Sequence, residues 1–232
     1  MDVILIGGLW LTADVWREVA EGVRARGHRV VPLALPGQGD GNQLATFEDQ
    51  VATVLAAVDG TDGKPLVIGH SAAATLAWLA ADRRPDRVAG VGLIGGFPPS
   101  DGTTYADFFE PVDGQMAFPG WEAFEGPDFA DLDEATRARM EAAMVPVPVG
   151  VSSGTVQYAD PRRSAVPVTL ICPEFGPDEA REWIASGDLP ELAAATALDY
   201  VDIDSGHWPM TSTPQELATI LADLADRHTA AA

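Results

Sequence analysis

The chain has 232 residues, with 14 basic against 35 acidic side chains and a formal net charge of −21. A field of that sign repels nucleic acid and anionic membrane, so neither is expected as a partner. A hydrophobic content of 47% and a mean hydropathy of +0.05 describe a water-soluble globular chain, large enough for one well-covered core. Met1-Asp2 leads directly into an apolar run without a basic leader, and no apolar run approaches a membrane span, so a cytoplasmic location is expected. The one cysteine, Cys172, rules out an internal disulfide and a cysteine-based zinc site, and it reads as a buried, inert thiol.

In chain order, Val3 to Ile6 reads as a buried strand ended by Gly7-Gly8. A helix is predicted from Asp14 to Arg26 on the spacing of Val15, Val19 and Val23, with Gly27 closing it. Arg29 to Leu35 is a second strand, stopped by Pro36-Gly37-Gln38-Gly39, and Thr46 caps a helix that runs to about Val58. Leu66 to Gly69 is the third strand, Ala72 to Asp82 a helix, and Val88 to Ile94 the fourth strand.

From Gly95 to Arg163 no strand is evident, and five of the eight phenylalanines fall between Phe108 and Phe129. One helix is expected there, capped by Asp133 and stopped by Pro146 and Pro148. Alternation resumes with a strand from Val166 to Cys172, a helix from Pro177 to Ala185, a strand from Ala197 to Ile203 and a last helix from about Pro214 to Arg227. Alternation of this kind predicts an α/β fold: a mostly parallel sheet of about six strands with helices on both faces. Residues 1–96 and 164–232 would form the core and 97–163 an inserted cap. Ligands should bind at the carboxyl ends of the strands.

The stretch Leu66-Val67-Ile68-Gly69-His70-Ser71-Ala72-Ala73 passes from strand to helix without a loop. Gly69-His70-Ser71-Ala72-Ala73 follows the nucleophile-elbow pattern G-x-S-x-G, with alanine in the last small position. A serine hydroxyl needs a base to take its proton. Of four histidines, His28 precedes a strand at the wrong end of the sheet and His228 lies near the end of the last helix. His70 sits within the turn, which aims it away from the reaction partner of Ser71. His207 follows the last strand at the correct edge and is the candidate base.

With these motifs in place, the chain resembles an α/β-hydrolase of the small capped kind that includes esterases and hydroxynitrile lyases. The likeness is carried by Val3 to Trp10, Gly69 to Ala73, Ser205-Gly206-His207-Trp208-Pro209 and Pro214-Gln215-Glu216-Leu217, although the family's two leading strands have no counterpart. It implies an oxyanion hole from the backbone N–H groups of Ala72 and Leu9, with Trp10 as fallback. It also implies an acid after the strand ending at Cys172. The usual aspartate slot holds Gly176, a departure from the family pattern; Glu174, closest to the strand end and with a longer arm, is the first choice, and Asp101 and Asp178 are alternatives.

The resemblance places a lysine beside the base in hydroxynitrile lyases, whereas Trp208 follows His207 here and the only lysine, Lys64, precedes the third strand. The expected activity is therefore serine carboxylesterase chemistry on small apolar esters or lactones. Phe108, Phe109, Phe118, Trp121, Phe124, Trp10 and Trp208 would form the substrate pocket, without cofactor or metal. A ligand-binding protein with weak turnover, an acyltransferase, or a lyase on the same scaffold are the rival readings. The sequence leaves the oligomeric state open.

Overall fold

The computed structural model describes residues 1–124 and 126–230. The strands are β1 (Asp2–Ile6), β2 (Arg29–Pro32), β3 (Leu66–His70), β4 (Gly90–Ile94), β5 (Gln115–Met116), β6 (Val147–Pro148), β7 (Val168–Cys172) and β8 (Leu198–Asp202). The helices are α1 (Arg17–Ala25), α2 (Phe47–Asp59), α3 (Ala74–Arg83), α4 (Gly126–Phe129), α5 (Glu134–Ala143), α6 (Val149–Ser152), α7 (Pro177–Ser186), α8 (Pro190–Ala193), α9 (Pro209–Ser212) and α10 (Pro214–Ala230). Six strands make one sheet in the order β2-β1-β3-β4-β7-β8, and every neighbouring pair is parallel. The expected α/β fold is present.

Strand side chains alternate between the two faces, and both faces are buried. Ile4, Ile6, Val67, Val91 and Leu170 pack with Val51 and Val54 of α2 and with Leu76 and Trp78 of α3. Val3, Leu5, Leu66, Ile68 and Ile171 pack on the other side with Val19 and Val23 of α1 and with Leu217, Leu221 and Leu224 of α10. Helix α2 starts where the sequence places it. Thr46 Oγ1 accepts the Asp49 N–H at 3.2 Å, and Asp49 Oδ2 accepts the Thr46 N–H at 2.9 Å. Asp133 caps α5 by accepting the Thr136 N–H at 2.7 Å.

The elements differ from expectation where short-range pattern is blind. Helix α1 is preceded by a tight 3₁₀ turn, Ala13–Trp16, which buries Trp16. Strand β2 ends at Pro32, with one further bond to β1 from the Leu33 N–H to Leu5 O at 2.9 Å. The stretch expected to lack strands contains β5 and β6, which pair antiparallel through Met116 and Val147. Two-residue strands have no periodicity to read. The segment rejoins the sheet through a buried carboxylate: Asp82 at the end of α3 accepts the N–H groups of Ala159 and Asp160 at 2.9–3.0 Å. No helix among the described residues is long and apolar enough to cross a membrane.

Two glycines with opposite surroundings test this packing. A side chain at Gly69 would run into the backbone carbonyl of Ala73, whereas nothing lies within 4 Å of the corresponding position at Gly63. Gly69→Ala is expected to cost about 3 kcal/mol and Gly63→Ala less than about 0.5 kcal/mol, read as a shift in urea-unfolding midpoint without change of slope.

Candidate active site

Strand β3 enters α3 through a single tight turn, Ser71–Ala73. Ser71 has φ +54°, a left-handed conformation that is costly for a residue with a Cβ. Three strand ends hold it there. Side chains at Gly69 and Gly96 would strike the carbonyl oxygens of Ala73 and Ser71, and one at Gly8 would lie 3.0 Å from Ser71 Cβ. Bare glycines on β3, after β4 and after β1 therefore let the turn be gripped from both sides.

The turn after β1 carries the second unusual residue, Trp10, at φ +65°. Its carbonyls are anchored from below: Gln38 Nε2 donates to Gly8 O and to Leu11 O, each at 2.9 Å. The Gln38 side-chain oxygen is in turn held by Gln50 Nε2 at 3.0 Å. Both glutamines are buried. Among the described residues, the N–H groups of Leu9 and Trp10 meet no acceptor. The glutamine pair was not singled out in the sequence, and only the fold brings it beneath this turn.

On the other side of β4, Glu174 follows β7 and reaches His207, with Oε1 2.6 Å from Nδ1 and both side chains about 85% buried (14% and 15% exposed). Gly95, at φ +54°, makes room for the pair: a side chain there would lie 3.2 Å from both Glu174 Oε2 and His207 Nδ1. The alternative acids are engaged elsewhere. Asp101 accepts the Tyr158 N–H at 2.8 Å. Asp178 is 94% exposed and pairs with Arg181 at 2.6 Å. Gly176 serves as the N-cap of α7.

Consecutive Cα atoms are about 3.8 Å apart, and Gly95 abuts the Glu174–His207 pair while Gly96 abuts the Ser71 backbone. Hydroxyl and imidazole thus flank the same end of β4. No hydrogen bond joins Ser71 Oγ to His207 among the described residues, a looseness common before substrate compresses such a pair.

The loop bearing His207 is fixed by groups that motif reading passed over. Its N–H donates to Asp128 O at 2.7 Å, and the Gly206 N–H donates to Asp131 Oδ2 at 2.8 Å. His70 Nε2 lies 2.7 Å from His207 O, and the two rings are 4.9 Å apart. Expected to point away from the reaction partner of Ser71, His70 instead packs directly on His207.

Aromatic side chains cover the site. The ring of Trp10 lies 5.4 Å from Phe118, 5.8 Å from Phe109 and 6.3 Å from Phe124. Trp208 lies 5.2 Å from Trp121, 5.3 Å from Phe124 and 4.9 Å from the His207 ring. Trp10 Nε1 also donates to Met116 O on β5 at 3.0 Å, tying the turn after β1 to the segment between β4 and β7. Phe108 corrects the expectation: it is 61% exposed and makes no ring contact among the described residues. Its neighbour Phe109 takes the inner side, and adjacent side chains diverge. No cluster of three or more His, Cys, Asp or Glu side chains able to hold a metal occurs among the described residues.

Burial, and secondarily the proximity of His207, depresses the His70 pKa to about 3. An unfolded chain protonates that imidazole below about pH 6.5, so between these values the unfolded state binds more protons and stability is lost as pH falls. His70→Gln removes the linkage. The stability difference between parent and variant is expected to shift against the parent by about 1.4 kcal/mol per unit as pH drops from 6 to 4, measured by urea unfolding.

The profile of the alpha/beta hydrolase family matches residues 3–220. Methylesterase 7 of Arabidopsis thaliana is 24% identical over 255 residues, covering 97% of this chain and 96% of its own. The pyrethroid hydrolase of Sphingobium wenxiniae is 28% identical over 251 residues, covering 97% and 88%. An extracellular alpha/beta-hydrolase from a Paenibacillus species superposes with a TM-score of 0.78 at 19% identity, over 96% of this chain and 98% of its own. With the parallel sheet and the strand-to-helix turn at Ser71, the match across nearly the whole chain leads to one conclusion: this protein belongs to the alpha/beta hydrolase family.

Proposed function

We propose that the protein is a serine hydrolase that cleaves carboxylic esters or lactones of small apolar substrates through an acyl-enzyme. The observation that carries this reading is the Glu174–His207 hydrogen bond of 2.6 Å at the strand end that also presents Ser71. In this mechanism Ser71 Oγ attacks the ester carbonyl while His207 Nε2 takes its proton. Glu174 holds the Nδ1–H tautomer and stabilises the imidazolium. Oxygen charge develops between the N–H groups of Ala72 and Leu9, each worth about 3–4 kcal/mol in such a site. His207 then protonates the leaving alkoxide, and water, activated by the same imidazole, releases the acid.

The relatives favour ester cleavage, being named methylesterases and pyrethroid hydrolase. Lys64 lies at the opposite rim, beside His228 and the starts of β3 and β4, a strand length of about 15 Å or more from the serine. No lysine is therefore placed to hold a small anionic leaving group such as cyanide, which favours hydrolysis over lyase chemistry. The aromatic cover suits an apolar substrate.

Ser71→Ala is expected to lower turnover of p-nitrophenyl acetate by roughly 10⁴–10⁶-fold and to abolish stoichiometric fluorophosphonate labelling. Undiminished hydrolysis by that variant would refute the mechanism. Glu174→Gln should lower kcat by roughly 10³–10⁴-fold, whereas Asp101→Asn and Asp178→Asn should stay within about threefold of the parent.

A further inference from the structure

Histidines in an active region are usually weighed as acids or bases. His70 has a different geometry. It is buried, with 1% of its surface exposed, and its Nε2 sits 2.7 Å from the backbone carbonyl of His207. A carbonyl can only accept, so Nε2 carries the hydrogen, and in the neutral ring Nδ1 is the bare nitrogen. That nitrogen is buried and has no partner among the described residues. It lies beside the turn after β1, where a side chain at Gly8 would come within 3.0 Å. A charged ring would need an acceptor at Nδ1 that this wall does not supply, and burial keeps the ring neutral. His70 is therefore suited to donate one hydrogen bond and ill suited to exchange protons.

Resting on the serine-hydrolase reading, we infer that His70 is a positioning residue: its Nε2–H fixes the His207 carbonyl and thereby aims the His207 imidazole at Ser71. The base is otherwise suspended on a loop, Ser205 to Trp208, whose remaining ties run to groups outside the sheet's strands. Glu174 holds its Nδ1, and Asp128 and Asp131 of the insertion hold the N–H groups of His207 and Gly206. Among the described residues, His70 makes the one hydrogen bond that joins that loop to the elbow, and it is covalently next to Ser71. Nucleophile and base are then spaced by one peptide unit, one imidazole and one hydrogen bond. The donor matters for rate because a misplacement of about 1 Å can cost on the order of 10²-fold.

The test compares His70→Leu, which fills the space without a donor, with His70→Gln, whose carboxamide nitrogen can reach the same carbonyl. His70→Leu is expected to lower kcat and the rate of fluorophosphonate labelling by about 10–100-fold, with KM within about twofold, and His70→Gln to restore both rates to within about threefold of the parent. A folded His70→Leu that labels at the parent rate overturns the inference, as does a folded His70→Gln no better than leucine. Histidine-labelled ¹⁵N spectra of the unsubstituted protein decide the matter even if a variant does not fold. The Nε2–H tautomer is expected for His70, and an Nδ1–H tautomer, which cannot donate to that carbonyl, overturns it. Ser71→Ala in parallel separates the two ideas: if it stays active and the parent is not labelled, the serine mechanism fails, whereas normal labelling of His70→Leu removes only the positioning role.

Discussion

Ser71 occupies a left-handed backbone conformation that a residue with a side chain does not adopt unaided. The ends of β1, β3 and β4 close on it so tightly that Gly69 and Gly96 have no room for a methyl group and one at Gly8 would be crowded at 3.0 Å. Strain of this kind costs of order 1–3 kcal/mol and persists only where surrounding packing leaves no alternative. Here the packing is the centre of the sheet itself: β3 and β4 are buried at every residue. The core thus does more than stabilise the fold, because it supplies the force that presents the hydroxyl.

His207 is held differently. His207 lies outside the sheet and is fixed by hydrogen bonds from several directions: Glu174 at the ring, Asp128 at the N–H and His70 at the carbonyl. Hydrogen bonds among mostly buried groups are stronger electrostatically than in water. Trp208 packs edge-on against the His207 ring, and Trp121, Phe124 and Trp10 continue that aromatic layer. The insertion accordingly has two duties, since it covers the site with aromatic rings and also ties down the loop that carries the imidazole. The Ser71 turn and the tethered His207 meet at Gly95-Gly96, where one glycine touches each.

The relatives share the fold at 17–28% identity, which is enough for the sheet and too little for the walls of a pocket. In such families chemistry resides in loops set on a common scaffold. In this chain the turn after β1, the segments after β4 and β7, and the Ser205–Trp208 stretch all lie at one rim of the sheet.

The local pattern of the chain was sufficient for the alternation of strands and helices, the caps at Thr46 and Asp133, and the serine at a strand–helix corner. Each of these depends on neighbours a few residues apart. It also pointed to His207 and to Glu174, the latter through family resemblance rather than chemistry, because spacing alone does not separate Glu174 from Asp101 or Asp178. Tertiary structure decided what depends on distant partners. It joined Gln115-Met116 to Val147-Pro148, turned Phe108 outward and Phe109 inward, set Gln38 and Gln50 beneath the turn after β1, and brought His70 onto the carbonyl of a residue 137 positions away. Periodicity and caps are written in local backbone preference, whereas these contacts exist only after the sheet has brought remote loops to the same edge.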